Sequence, residues 1–480
     1  MSRLKLLAII ALLALIAAAC STDEADDSGD DGSGDDATEE AAAEDDTADE
    51  DADAADDDGG EEVEEGDDSG DEASGDGVAL RWRTRPDNQA EIDVYSGVSE
   101  DIDSAWDAAT LEYEPGGSEG SNYQDVLRTE LASGTAPDVF WIPGTDVADF
   151  AQRGLILNLR DLASGSDAYA GDDAYYEGPM EFLTYDPETA ESSEALWGLP
   201  RDVSTFALYL NLDLIDEAGV DDPRELAEAG EWNWDTFRAT AEAINDLGPE
   251  IQGFGMNNWW ANPGYFINAA GGSFFTDDRT ACAVDSEESI QGLEFMQRLY
   301  GDELTVPYGE DAEPPYLAGN VGMFMNGRWA TPGTRASASF DWDVVKLPDG
   351  PGGPSNWLFW GAYVVNAETE HPEEAFELVT RLTSPEVQTQ VAELGANIPS
   401  RTDDEETIDQ FLTYTPPENN QAFINGLSED PTAEGPLWEG NWPAFDTALA
   451  PEIEAVIAGD RSLDDFSANI CDTLDATFES

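Results

Sequence analysis

Few residues in this sequence could do covalent or metal chemistry, and their spacing argues against it. There is one histidine, His371, directly before Pro372, and there are three cysteines, Cys20, Cys282 and Cys471. None has a zinc-ligand spacing, so neither a metal site nor a Cys–His catalytic site is expected. Acid–base cleavage of a glycoside would need two carboxylates about 5–10 Å apart. With 107 Asp and Glu in the chain no pair can be singled out, and the sequence neither supports nor excludes that chemistry. What does stand out is a binding group, Trp259-Trp260, in the Asn-, Gly- and Pro-rich stretch Phe254–Tyr265. Two adjacent indoles cannot both point into one core, and a loop lies at the surface, where bare Trp needs a reason. Both are candidate ligand contacts.

The elements that must position them read as α/β. Val78–Thr84 reads as a strand with Arg81 and Arg83 on one face, ended by the loop Arg85-Pro86-Asp87-Asn88. Tyr123–Leu131 carries a helical stripe with Gly134 as its stop, and Val139–Ile142 is a short buried strand. Phe206–Leu210 alternates as a half-buried strand does, and Leu212–Ala218 turns helical up to Gly219. Trp232–Leu247 is a helix with Asn233 as its cap, and Val321–Met325 a strand followed by a turn at Asn326-Gly327. His371–Leu382 and Ser384–Leu394 are amphipathic helices, the second capped by Ser384 with Pro385 at its first position. Strand–helix–strand units of this kind build lobes in which helices cover a sheet.

Length and charge bound the rest. The 480 residues allow about two to three ordinary domains. Met1–Cys20 reads as a secretory signal: Arg3 and Lys5 precede the apolar run Leu6–Ile16, which is too short to favour a membrane span, and Ala17-Ala18-Ala19 form the cleavage zone. A cysteine directly after those alanines resembles a bacterial lipobox, in which the Cys20 thiol takes a diacylglyceryl group. With Cys20 so used, Cys282 and Cys471 are an even pair in an oxidising compartment, and a disulfide between them is open. Ser21–Asp76 holds 29 acids and no base, so residues 21–77 are expected to be a disordered acidic linker. The remainder still carries 78 acids against 17 bases, a net charge of −61, with Lys346 its one lysine. That balance argues against nucleic acid and anionic lipid surfaces as partners, and it points to a salty habitat where screening relieves self-repulsion.

Several stretches, taken in order, resemble the extracellular solute-binding proteins of ABC importers, the carbohydrate-type group that includes maltose-binding protein. Trp197–Val220, WGLPRDVSTFALYLNLDLIDEAGV, resembles the group's "GLP-x-D … LYYNKDL … AGV" segment. LASGTAPDVFW, ending at Trp141, resembles "LASG-APDV-", and Tyr316–Arg335 resembles "F-SGK-AM---G-W". The order and spacing of these motifs, over about 78–478, are more specific than any one of them. The resemblance implies an α/β fold of the periplasmic-binding-protein type II, two lobes joined by a hinge with a ligand cleft between them. Residues 78–202 and 361–410 would form lobe 1, and 203–360 and 411–480 lobe 2.

The same resemblance nominates site residues. Trp329 would be the main stacking platform for a sugar ring, with Trp141, Trp259 and Trp260 as further aromatic contacts. Arg83, Arg85 and Asp87 come from the first strand and its loop, and Arg201 and Asp202 from the first crossover. Trp360, with Trp357, precedes the second crossover, and Trp442 lies in a late turn. The implied function is the substrate-binding component of an ABC transporter, without cofactor or metal. It would be a lipid-anchored monomer outside the cell membrane, passing a carbohydrate, an oligosaccharide, to permease subunits. The alternatives are a polyol, glycerophosphodiester or peptide ligand on the same fold, or an extracellular glycoside hydrolase.

Overall fold

The computed structural model describes residues 77–478 apart from 87–88, 118–122, 187–190, 193–194, 429–430 and 433–440. Cys20, the linker and Asp87 lie outside the described residues. The principal strands are β1 (Val78–Thr84), β2 (Ala109–Pro115), β3 (Val139–Pro143), β4 (Leu199–Asn211), β5 (Gln252–Met256), β6 (Val321–Gly327), β7 (Trp342–Val345) and β8 (Asn356–Val365). They run through one sheet in the order β2-β1-β3-β8-β4-β6-β5, with β7 also on β4. β1 is parallel to β2 and β3, and β5 to β6, while the pairings in the middle are antiparallel.

The two long strands change partners along their length. β4 pairs with β8 over Leu199–Thr205 and with β6 over Phe206–Leu210. β8 pairs with β4 over Leu358–Tyr363 and with β3 over Gly361–Val365, and its register on β4 shifts between Gly361 and Ala362. An irregularity of this kind re-aims side chains locally. Arg201 and Asp202 on β4, and Trp360 and Gly361 on β8, therefore sit where the sheet changes hands.

Two apolar cores flank this arrangement. The first gathers Trp82, Tyr95, Phe140, Phe150 and Tyr363; the second gathers Trp232, Phe237, Phe254, Leu293, Phe445 and Ile453. The period of two in β4 is real, but the strand is not half-buried. Phe206, Leu208 and Leu210 enter the second core, whereas Ala207 and Tyr209 enter the first, so both faces are covered.

Local signals set most helix ends. Asn233 accepts hydrogen bonds from the backbone of Asp235 and Thr236, and the Thr236 hydroxyl accepts one from the Asn233 N–H, starting a helix at Trp234. Gly219 ends Leu212–Ala218 with φ 67°, and Ser384 caps Pro385–Glu393. Two expectations need correction. Phe254–Tyr265 is not one loop: β5 reaches Met256, and a helix starts at Ala261. Pro263 is tolerated because a helix's first N–H groups have no intrahelical partner to lose. Asn326-Gly327 is not a turn but the buried end of β6, paired with Ala207 and Phe206 of β4. Cys282 and Cys471 form a disulfide, tying the segment before Glu287–Gly301 to the helix Leu463–Leu474.

Candidate functional site

A cavity of about 780 Å³ opens where β4 and β8 change partners. Nine of the residues nominated from sequence line it: Arg85, Trp141, Arg201, Asp202, Trp259, Trp260, Trp329, Trp357 and Trp360. They come from six places: the end of β1, β3, β4, the loop Asn257–Trp260, the turn after β6, and β8.

The side built against the second core is aromatic. Trp259, Trp260, Trp329 and Phe359 are each half-buried, with one part of the ring packed and another open. Trp329 stands edge to face with Phe359 at 5.1 Å and with Trp259 at 6.2 Å, and Trp259 meets Trp260 at 5.3 Å. Phe206 supports the group from the core, 4.7 Å from Phe359. Trp329 lies so close to Gly327 that a Cβ there would come within 2.1 Å of its ring, which gives the glycine a packing reason.

The side built against the first core is polar. The guanidinium carbons of Arg85 and Arg201 each lie over the Trp141 ring, 4.8 Å from its centroid. The indole itself is pressed against Gly361, where a Cβ would fall 2.1 Å from Nε1. Arg201 donates from Nε to Asp202 at 2.5 Å and from Nη1 to Thr84 Oγ1 at 2.9 Å. Burial works against the charge of Arg201, but Asp202, Tyr95, Tyr363 and Glu91 more than offset it and push its pKa up. Glu91 and Glu313 also line the cavity, whose lining therefore carries two guanidiniums and three carboxylates. Trp360 completes this side, stacked on Phe182 at 6.2 Å.

Two nominated residues stand elsewhere. Arg83 is not among the lining residues, because Glu114 at 2.6 Å and Glu130 at 2.5 Å hold its guanidinium. Trp442 is 5% exposed and opens the helix Trp442–Ile457. It packs edge to face against Trp260 at 4.9 Å, behind the wall rather than in it. Sequence reasoning missed Glu91, Ser204, Asn257, Asn258, Glu313, Asn326 and Phe359. Asn257-Asn258, next to Trp259, and Phe359, next to Trp360, adjoin residues already singled out; Glu91 and Glu313 carry no such signal. The Asn257 side-chain oxygen accepts from the Ala312 N–H at 2.9 Å, which fixes its amide. Among the described residues, no group of three or more His, Cys, Asp or Glu could hold a metal ion, and no helix is long and apolar enough to cross a membrane.

The family model for bacterial extracellular solute-binding proteins matches residues 91–389. The chain belongs to that family. A putative binding protein of Brucella abortus is 25% identical over 264 residues, 53% of this chain and 60% of the relative. The galactooligosaccharide-binding protein of Bacillus subtilis is 26% identical over 274 residues, 54% of this chain and 59% of that one. The alignments thus span less than two thirds of these curated relatives. An ABC substrate-binding protein of Listeria monocytogenes, solved in complex with cycloalternan, superposes with a TM-score of 0.74 at 19% identity. That likeness covers 84% of this chain and 100% of the other, and it shows the fold: α/β, of the periplasmic-binding-protein type II. In this solute-binding protein, the aromatic side and the mixed-charge polar side meet at the crossing of β4 and β8.

Proposed function

We propose that this protein captures an uncharged, hydroxyl-rich carbohydrate, an oligosaccharide, and delivers it to the membrane subunits of an ABC importer. The half-open aromatic group Trp259, Trp260, Trp329 and Phe359 carries the reading. Flat ring faces complement the apolar C–H face of a pyranose, and the mixed-sign polar side offers hydrogen bonds without demanding a charge. A volume of about 780 Å³ falls within the range of small-molecule sites and exceeds what one sugar ring needs. The names of the Bacillus subtilis relative and of the cycloalternan complex agree with this ligand class.

Residues 78–202 with 361–410, and 203–360 with 411–480, act as two lobes that close on the ligand. The partner changes of β4 and β8 near those boundaries support a hinge there. Trp329, Trp259 and Trp260 stack on the sugar, while Arg85, Arg201 and Asp202 meet its hydroxyls. The protein works as a monomer, anchored outside the cell membrane through a lipid on Cys20, and leaves its ligand chemically unchanged.

A melting-temperature screen in high salt tests this, using mono- and oligosaccharides, polyols, phosphodiesters and peptides. A ligand that binds only the folded state raises the melting temperature. The reading expects a neutral oligosaccharide to do so and to be recovered intact. A shift only by a phosphodiester or peptide would overturn the ligand class, and cleavage of the sugar would overturn the binding role.

A further inference from the structure

A second cavity adjoins the first. Its volume is about 590 Å³, within the range of small-molecule sites, and it shares Asn257 and Asn258 with the main cavity. Trp259 and Trp260 follow directly in the chain, so one short loop borders both spaces.

The shared wall is held from behind. The Asn257 side-chain oxygen accepts from the Ala312 N–H at 2.9 Å, and the Asn257 carbonyl accepts from the Asn262 side chain. Asn258 Oδ1 accepts from the Tyr300 hydroxyl at 3.4 Å, which leaves its NH2 group to point donors elsewhere. The Tyr300 ring also meets the Tyr308 ring edge to face at 5.6 Å. Tyr308 is half-buried and lines the second cavity, as does Pro451 on the helix Trp442–Ile457. Tyr300 thus supports both the wall and an aromatic platform beyond it.

The rim of this space is acidic. Glu310, Asp311 and Glu454 are exposed there, and no Lys or Arg is among the lining residues. Burial, and then the nearby Glu454 carboxylate, raise the Tyr308 pKa, so that carboxylate lies close to the platform. Among the described residues no group of acids could hold a metal ion. Such a lining repels an anionic group, whereas carboxylates accept strong hydrogen bonds from hydroxyls.

We propose that the second cavity is a further sugar subsite, taking the distal unit of an oligosaccharide whose other units stack on Trp259, Trp260 and Trp329. It rests on the carbohydrate reading above and sharpens it: the ligand is a chain long enough to pass Asn257-Asn258. Tyr308 offers a ring face to the distal sugar, and Asn258 and Glu454 meet its hydroxyls. The exposed rim keeps the space wet, so the gain from filling it is modest.

Calorimetric titration of the full chain with two probe series, linear galactooligosaccharides and maltooligosaccharides from disaccharide to heptasaccharide, tests the subsite. In the series that binds, wild-type affinity is expected to rise about fivefold once the chain is long enough to reach Tyr308. Tyr308→Ala is expected to lose that gain and to bind the shortest ligand as the wild type does. Ala450→Arg is the second variant: Ala450 is an exposed lining residue, and the new side chain would occupy the cavity and pair with Glu454 four residues on. It should remove the same gain even if Tyr308→Ala does not fold. Affinity independent of length, or an equal loss at every length, would overturn the subsite and leave the carbohydrate reading standing. Binding of neither series would overturn both.

Discussion

On the second-core side of the cavity, Trp259, Trp260 and Trp329 are half-buried and leave part of each ring open. On the first-core side, Trp141 is 5% exposed and lies under two guanidiniums. The same residue type therefore does two jobs. The Trp329 ring keeps open area in the cavity, whereas Trp141 packs against the guanidiniums of Arg85 and Arg201 and against Gly361. The lesson is that a tryptophan's role follows from what already covers its ring, not from its presence in a cleft. Cation–π contact at a desolvated site is worth up to about 2 kcal/mol, enough to fix a long arginine side chain.

That contrast can be broken from either side. The largest effect is expected from Gly327→Val, which would force the Trp329 ring from its seat and into the cavity. Affinity for the bound oligosaccharide should fall about thirtyfold or more, measured by calorimetry, with circular dichroism confirming the fold. Affinity that is unchanged would show that the ligand does not use the Trp329 ring.

A smaller effect is expected from Trp141→Leu. Here the ligand keeps its stacking platforms but loses an ordered polar side, so affinity should drop about fivefold. The melting temperature should fall as well, because a buried aromatic is lost. A loss as large as that at Gly327 would mean that Trp141 contacts the ligand directly.

The smallest effect concerns Asp146, just past the lining residue Thr145 on the polar side. Burial, partly offset by Arg128 and reinforced by Asp149 and Asp125, pushes its pKa up to about 6. A carboxyl whose pKa is raised on folding stabilises the protein below about pH 4, and that contribution is lost as the pH rises through about 6. Asp146→Asn should therefore gain stability relative to the wild type between about pH 4 and 6, and the gap should stay constant above. Parallel melting curves across that range would contradict the assignment.

Much of this was legible in the sequence because the signals were local. Helix caps at Asn233 and Ser384, the stop at Gly219 and the strand Val78–Thr84 depend on a few neighbouring residues, and all are found as expected. The order of the motifs carried the fold class, and Trp259-Trp260 in a short loop reached the cavity. What sequence could not supply is set by distant partners. Arg83 and Arg85 look alike in the chain, but Glu114 and Glu130, 31 and 47 residues away from Arg83, draw it off. Asn326-Gly327 has turn composition and is nonetheless strand, because the register with β4 pairs it. The double burial of β4 likewise depends on a second core that alternation alone does not reveal.

The central claim is that a neutral sugar stacks on the aromatic side and leaves unchanged. Calorimetric titration of one neutral oligosaccharide, chosen by the melting screen, into wild type and Trp329→Ala tests it most directly. The account predicts saturable binding to the wild type, affinity about thirtyfold weaker or worse in the variant, and intact sugar recovered from both. Equal affinity in the two proteins, or cleaved sugar, would contradict it.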